Sequence, residues 1–96
     1  MPTYMSLCRW TAQGAATMKQ SPARLDAARK ALAADGIKIL SFYMLTGTHD
    51  FMFISEGPND EVIAKALLTT IAQGAITTQT SRAFTEDEYR KIMKGL

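Results

Sequence analysis

Residues 37–55 read "IKILSFYMLTGTHDFMFIS", and how this stretch folds decides the architecture of the chain. Its two ends, "IKILSFYML" and "FMFIS", are dense in β-branched and aromatic residues, the composition of strands. Only Thr46, Gly47, Thr48, His49 and Asp50 separate them. So short a connection fits a hairpin, so the two strands are expected to be antiparallel neighbours, with Gly47 supplying a positive φ in the turn.

Working outward, each flank of the hairpin holds a helix with similar punctuation. Upstream, "SPARLDAARKALAADG" (21–36) starts with Ser21 as N-cap and Pro22 at the first helical position, and stops at Gly36. Leu25, Ala28 and Leu32 recur at helical spacing, while Arg24, Asp26, Arg29 and Lys30 fall mostly outside that stripe. Downstream, "EGPNDEVIAKALLTTIAQG" (56–74) has Pro58 near its start, Ile63, Leu67 and Ile71 on one face, and Gly74 as its stop. Beyond the helices lie two more strand-like runs, "TYMSLCRW" (3–10) and "AITTQTSRAF" (75–84). Between the first run and the first helix, "TAQGAATMKQ" loses any pattern around Gly14. The chain closes on "TEDEYRKIMKGL", where Thr85 and Glu88 have capping-box spacing and Tyr89, Ile92 and Met93 share a side. The order β-α-β-β-α-β plus a terminal helix predicts an α+β fold over residues 1–96 as a single domain. It is a ferredoxin-like sandwich of a four-stranded antiparallel sheet and one helical layer.

Ninety-six residues hide only about two thirds of the surface of the unfolded chain, which leaves little room for a deep pocket built by one subunit. The formal charge of +2 is scattered, which argues against a nucleic-acid footprint. The single cysteine, Cys8, excludes an internal disulfide, "MPTYMSLCRW" lacks the basic region and apolar core expected of a signal peptide, and no apolar run reaches about 18 residues. A cytoplasmic protein with no membrane or nucleic-acid partner is expected.

Strand parity predicts assembly. The run after Gly36 offers Leu40, Phe42 and Met44 on one face and Ile39, Tyr43 and Leu45 on the other, and the next offers Phe51 and Phe53 opposite Met52 and Ile54. Helices cover one face of such a sheet, so the second apolar face calls for a second subunit stacked sheet on sheet. At least a homodimer is expected. The last strand is polar on both faces, with Thr78, Thr80 and Arg82 opposite Thr77, Gln79 and Ser81.

Several segments together resemble the GYD-domain family, small prokaryotic proteins of the dimeric α/β-barrel group. They are "WTAQG" (Trp10, Thr11, Gly14), "SPARLDAAR" (Ser21, Pro22, Arg24), "GTHDF" and "RAFTEDEY" (Arg82, Ala83, Phe84, Thr85). Where the family usually has a Gly-x-Tyr-Asp hairpin, this chain keeps Gly47 and Asp50 and has His49 in place of the tyrosine. The resemblance implies a ferredoxin-like subunit that pairs through its sheet into a dimeric α/β barrel. It brings no defined reaction with it.

The candidate site residues each have two readings. Arg82, within a strand and flanked by hydroxyls, could anchor a small anionic or carbonyl-bearing ligand, or could form an ion pair with Asp50 or Glu56. Thr80, Trp10 and Tyr43 would line the same cavity, or the two aromatics would be core. Asp50 serves as a turn acceptor or faces a cleft, and His49 is a solvent-facing turn residue or half of a proton-transfer pair with Asp50. Cys8, without a neighbouring base, reads as an inert buried thiol, and Arg24 as a surface charge or a reach to an adjacent subunit. One histidine and one cysteine argue against a tetrahedral metal site from this chain alone, while an intersubunit metal or an axial haem ligand at His49 stays open, and no cofactor motif is present. The first expectation is therefore a homo-oligomer that binds a small ligand or a partner in a sheet-lined cavity. The alternative is a small enzyme of the dimeric α/β-barrel type, a cofactor-free monooxygenase, an isomerase or a haem-dependent enzyme, using His49, Asp50 and Arg82.

Overall fold

The computed structural model describes residues 1–96. Four strands, β1 (Thr3–Trp10), β2 (Lys38–Met44), β3 (Phe51–Glu56) and β4 (Ile76–Ala83), form one sheet in the order β2-β3-β1-β4, with every neighbouring pair antiparallel. Two long helices, α2 (Ser21–Ala34) and α3 (Asp60–Ala72), pack beside β2 and β4 respectively. A short α1 (Ala12–Ala16) and a 3₁₀ turn (Met18–Gln20) precede α2, and α4 (Glu86–Lys94) follows β4. This is the expected α+β ferredoxin-like sandwich. β2 and β3 form the hairpin expected of residues 37–55, with β2 at the edge of the sheet.

The register assigns the faces, because directly paired residues in an antiparallel ladder point the same way. Tyr4 pairs with Ser55 and Arg82, Ser6 with Phe53 and Thr80, and Cys8 with Phe51 and Thr78. All of these look toward the helices. Met5 and Leu7, paired with Ile54 and Met52 on one side and with Ser81 and Gln79 on the other, occupy the outer face. On β2 the expected alternation fails. The pairing steps from Ile39↔Ser55 to Ser41↔Ile54, so Leu40 is the extra residue of a bulge and the strand changes parity there. Ile39, Phe42 and Met44 therefore share the inner face, whereas strict alternation had set Ile39 with Tyr43 and Leu45.

Three local readings also change. Ser21 is not the N-cap of α2: it already has helical angles, and Gln20 precedes the helix without a side-chain cap bond. The reason is that the 3₁₀ turn runs straight into the helix, so no extended residue stands between them. The patternless "TAQGAATMKQ" contains α1, capped by Thr11, whose hydroxyl accepts from the Gly14 N–H at 3.2 Å. Five residues are too few to show a helical period. Gly47 lacks a positive φ, which occurs only at the helix stops Gly36 and Gly74. The hairpin instead closes as a wider loop through a 2.8 Å bond from Leu45 N–H to Asp50 C=O, which needs no left-handed residue.

The packed core is small and lies at one end of the layer. Tyr4, Ile37 and Ile63 are buried together, with Leu32, Val62, Ala66 and Leu67 against them. α2 has no fully buried residue. Of its inward stripe Leu32 reaches this core, while Leu25 and Ala28 stand over a cavity instead of a packed floor.

Candidate functional site

The space between α2, α3 and the inner sheet face is an open cavity of about 390 Å³. Its floor is Ile39, Phe42, Phe51, Phe53 and Ile76, with Phe42 and Phe51 stacked at 5.3 Å between ring centroids. The cavity exists because, apart from Leu25 and Leu32, the apolar residues of the facing helix surfaces are alanines. Ala27, Ala28 and Ala31 on α2 and Ala66 on α3 are too short to fill the layer above three phenylalanines. Ser21, Arg24, Asp35, Lys65, Thr69, Thr70 and Gln73 supply its polar groups. A volume of this size with an apolar lining and a few polar groups is typical of small-molecule sites.

Arg24 is the best-defined of these polar groups. Its Nη1 donates to Thr17 Oγ1 at 2.9 Å and Thr17 C=O at 3.3 Å, and its Nη2 donates to Gly14 C=O at 3.4 Å. All three acceptors are uncharged, and no carboxylate lies within ion-pair distance; the two ion pairs in the protein are Arg82–Glu88 and Arg90–Glu86. The segment that holds Arg24 is itself fixed to Ala75, the residue that leads into β4. Gly14 is buried against Ala75, and Thr11 N–H donates to Ala75 C=O at 3.0 Å. The "WTAQG" run thus orients the arginine of the following helix.

The residues singled out from sequence are not brought together. Trp10, Thr80 and Arg82 face the helices, but none lines the 390 Å³ cavity. Tyr43 pairs with Met52 on the opposite, outer face and is 62% exposed. Arg82 forms an ion pair, though with neither Asp50 nor Glu56: its Nη2 lies 3.3 Å from Glu88 Oε2 of the following helix, its Nη1 donates to Thr3 C=O and Ala83 C=O, and it sits over the rings of Phe84 and Tyr4. Thr80 shares a 2.7 Å hydrogen bond with Ser6. Trp10 stacks obliquely on Phe51, and its Nε1–H is buried without an acceptor. His49 and Asp50 engage different partners. His49 Nε2 is 3.1 Å from Gln79 Oε1 on the outer side of β4, while Asp50 Oδ2 accepts from Trp10 N–H at 2.9 Å and Asp50 N–H donates to Cys8 C=O at 2.8 Å. Asp50 therefore ties the hairpin to the end of β1.

Lys65 was passed over by sequence reasoning, and Arg24, read there as a surface charge or a reach to an adjacent subunit, lines the cavity instead. The available signal was the alanine run of α2 facing a phenylalanine-rich sheet, a pairing that leaves volume unfilled. No three His, Cys, Asp or Glu side chains converge as metal ligands.

Burial and local bonds shift three titrations. Burial pushes the Cys8 thiol up to about 12, the environment of an unreactive thiol. Burial, reinforced by donation to the Asp60 carboxylate, raises Tyr4 above the usual phenol value. Glu88 is held below the usual carboxylate range, first by the Thr85 backbone N–H that donates to it and then by Arg82.

Comparison with known proteins agrees with this architecture. The GYD domain matches over residues 4–93. A Thermus thermophilus protein named glutamine synthetase and cystathionine beta-lyase binding protein is 30% identical over 84 residues, which span 86% of this chain and 88% of that protein. No helix is long and apolar enough to cross a membrane. With the match running from the start of β1 to the last turn of α4, the chain belongs to the GYD-domain family.

Proposed function

We propose that this GYD-domain protein is a cytoplasmic, non-catalytic binding protein that assembles with copies of itself and docks onto a metabolic enzyme of the glutamine synthetase or cystathionine β-lyase kind. The observation that carries the reading is the outer sheet face. Met5, Leu7, Met52, Ile54 and Tyr43 are contiguous in the register, and no helix of the same chain covers them. Completing their burial contributes roughly 1 kcal/mol each, doubled by an identical partner, against an association cost of about 4–15 kcal/mol. The sheet face alone therefore supports a marginal dimer. Phe84, Tyr89, Ile92 and Met93, on and just before α4, are each about half exposed and add apolar surface at the periphery. Stacking through the sheet would give the dimeric α/β barrel and leave the helical layer and α4 free to meet another protein. The name of the Thermus relative supports enzymes as that other protein.

A catalytic reading through His49 and Asp50 has less support, since the two side chains face different partners and Asp50 is committed to a backbone N–H. Sedimentation velocity tests the proposal with the chain alone and with purified glutamine synthetase and cystathionine β-lyase from the same cells. An oligomer that co-sediments with one of the enzymes is the expected result. A monomer at every concentration would overturn the assembly, and two separate boundaries with both enzymes would overturn the docking.

A further inference from the structure

We propose that the cavity between α2, α3 and the sheet binds a small monocarboxylate with an apolar tail, the carboxylate on Arg24 and the tail over Phe42, Phe51 and Phe53. This inference does not depend on the enzyme-docking role. It rests on the cavity and on the state of one guanidinium.

Arginine offers five N–H donors in a rigid plane. Three of Arg24's go to Thr17 and Gly14, which sets the plane and leaves the Nε donor and one on Nη2 without an acceptor. Two adjacent donors on a fixed plane match the two oxygens of one carboxylate. The group is half-buried, with no protein anion to neutralise it. The start of α2 adds to the positive potential. Its first turn holds no acidic residue, and Gln20 makes no side-chain cap bond to it.

Charge on the lining selects a monoanion. Arg24 and Lys65 are positive and Asp35 is negative, a net of +1, so a phosphate dianion or a dicarboxylate would leave one charge uncompensated. The tail is selected by the floor. An apolar chain or ring displaces water from the stacked Phe42 and Phe51 and from Phe53, while a short polar acid would leave most of the 390 Å³ unfilled.

Amide NMR titration of the intact chain with phenylbutyrate and with octanoate, each against its alcohol, tests the proposal. Saturable shifts centred on Ser21–Arg24, Phe51 and Thr70–Gln73 are expected for at least one acid, with the matching alcohol about tenfold or more weaker. Arg24→Gln should reduce the acid to the affinity of the alcohol. Arg24→Lys, which keeps charge but loses the fork, should fall between. Ala31→Phe, which fills the cavity two helical turns from Arg24, should abolish binding of acid and alcohol alike, so the outcome does not depend on Arg24→Gln remaining folded. Equal affinity for acid and alcohol would overturn carboxylate recognition. Shifts confined to the outer sheet face, or no saturable shift with either acid, would overturn the site.

Discussion

A methyl group built on Gly14 would sit 1.9 Å from the carbonyl oxygen of Ala75, a distance no relaxation of side chains can relieve because the obstacle is backbone. Gly14→Ala is therefore expected to separate α1 from β4 and to cost about 1–3 kcal/mol or more, seen as a lower urea midpoint. At Gly47 the same substitution meets nothing within 4 Å, and φ there is not positive. Gly47→Ala should be neutral, or should stabilise by up to about 1 kcal/mol through the unfolded chain. The two variants in one denaturation series separate a packing glycine from a permissive one. Cys8 supplies a second test at this scale. With its folded titration raised from 9.0 to about 12, the native protein holds the proton that the unfolded chain releases. The associated stability is complete below pH 9 and lost as pH rises toward 12. Tyr4, also raised, acts in the same direction. Cys8 should resist alkylation at pH 8 in the folded protein and react promptly in urea, and Cys8→Ser should flatten the alkaline limb of the stability profile.

Among the elements, α4 is held mainly at its first turn. Thr85 and Glu88 form a reciprocal capping box, with Glu88 Oε1 accepting from Thr85 N–H at 2.9 Å and Thr85 Oγ1 accepting from Glu88 N–H at 3.2 Å. Glu88 also pairs with Arg82, so a single carboxylate joins the helix to β4. Because its titration is lowered from 4.5, the anchorage is present above that value and fades as pH falls through the folded one. On acidification the α4 amides should shift together with the Glu88 carboxyl resonance and ahead of those in the sheet. Thr85→Ala should cost about 1 kcal/mol of helix stability and raise the pH at which α4 frays. If α4 and β4 lost protection together at every pH, the helix would be part of the global unit and not a separately anchored one.

For the whole molecule, the distinctive feature is a sheet that is apolar on both sides and covered on one. Met52 lies at the centre of the outer face, beside Leu7 on β1 and Tyr43 on β2. Met52→Lys adds a charge that tolerates water and not a dry sheet-on-sheet contact. It should yield a monomer with unchanged far-UV circular dichroism, and an unchanged sedimentation coefficient would place any assembly elsewhere. The same sheet shows where sequence suffices. Hairpin length, helix stops at Gly36 and Gly74, the Thr85–Glu88 box and the parity of β4 are local properties, fixed by backbone sterics and by period, so the sequence by itself determined the order of elements and the ferredoxin-like class. It did not determine the bulge at Leu40, the helical start at Ser21 or the partner of Arg82. Each depends on a contact or a backbone path that hydrophobic period does not encode: the β3 ladder, the 3₁₀ turn that runs into α2, or the turn that brings α4 back to β4. The candidate site belongs wholly to this second kind. Alanines on α2 and phenylalanines on β2 and β3 leave a cavity only when the layers face each other, and Arg24 becomes a fixed cation without a counter-ion only when Gly14 is locked to Ala75. Volume and charge balance are properties of residues distant in sequence, and tertiary structure alone decides them.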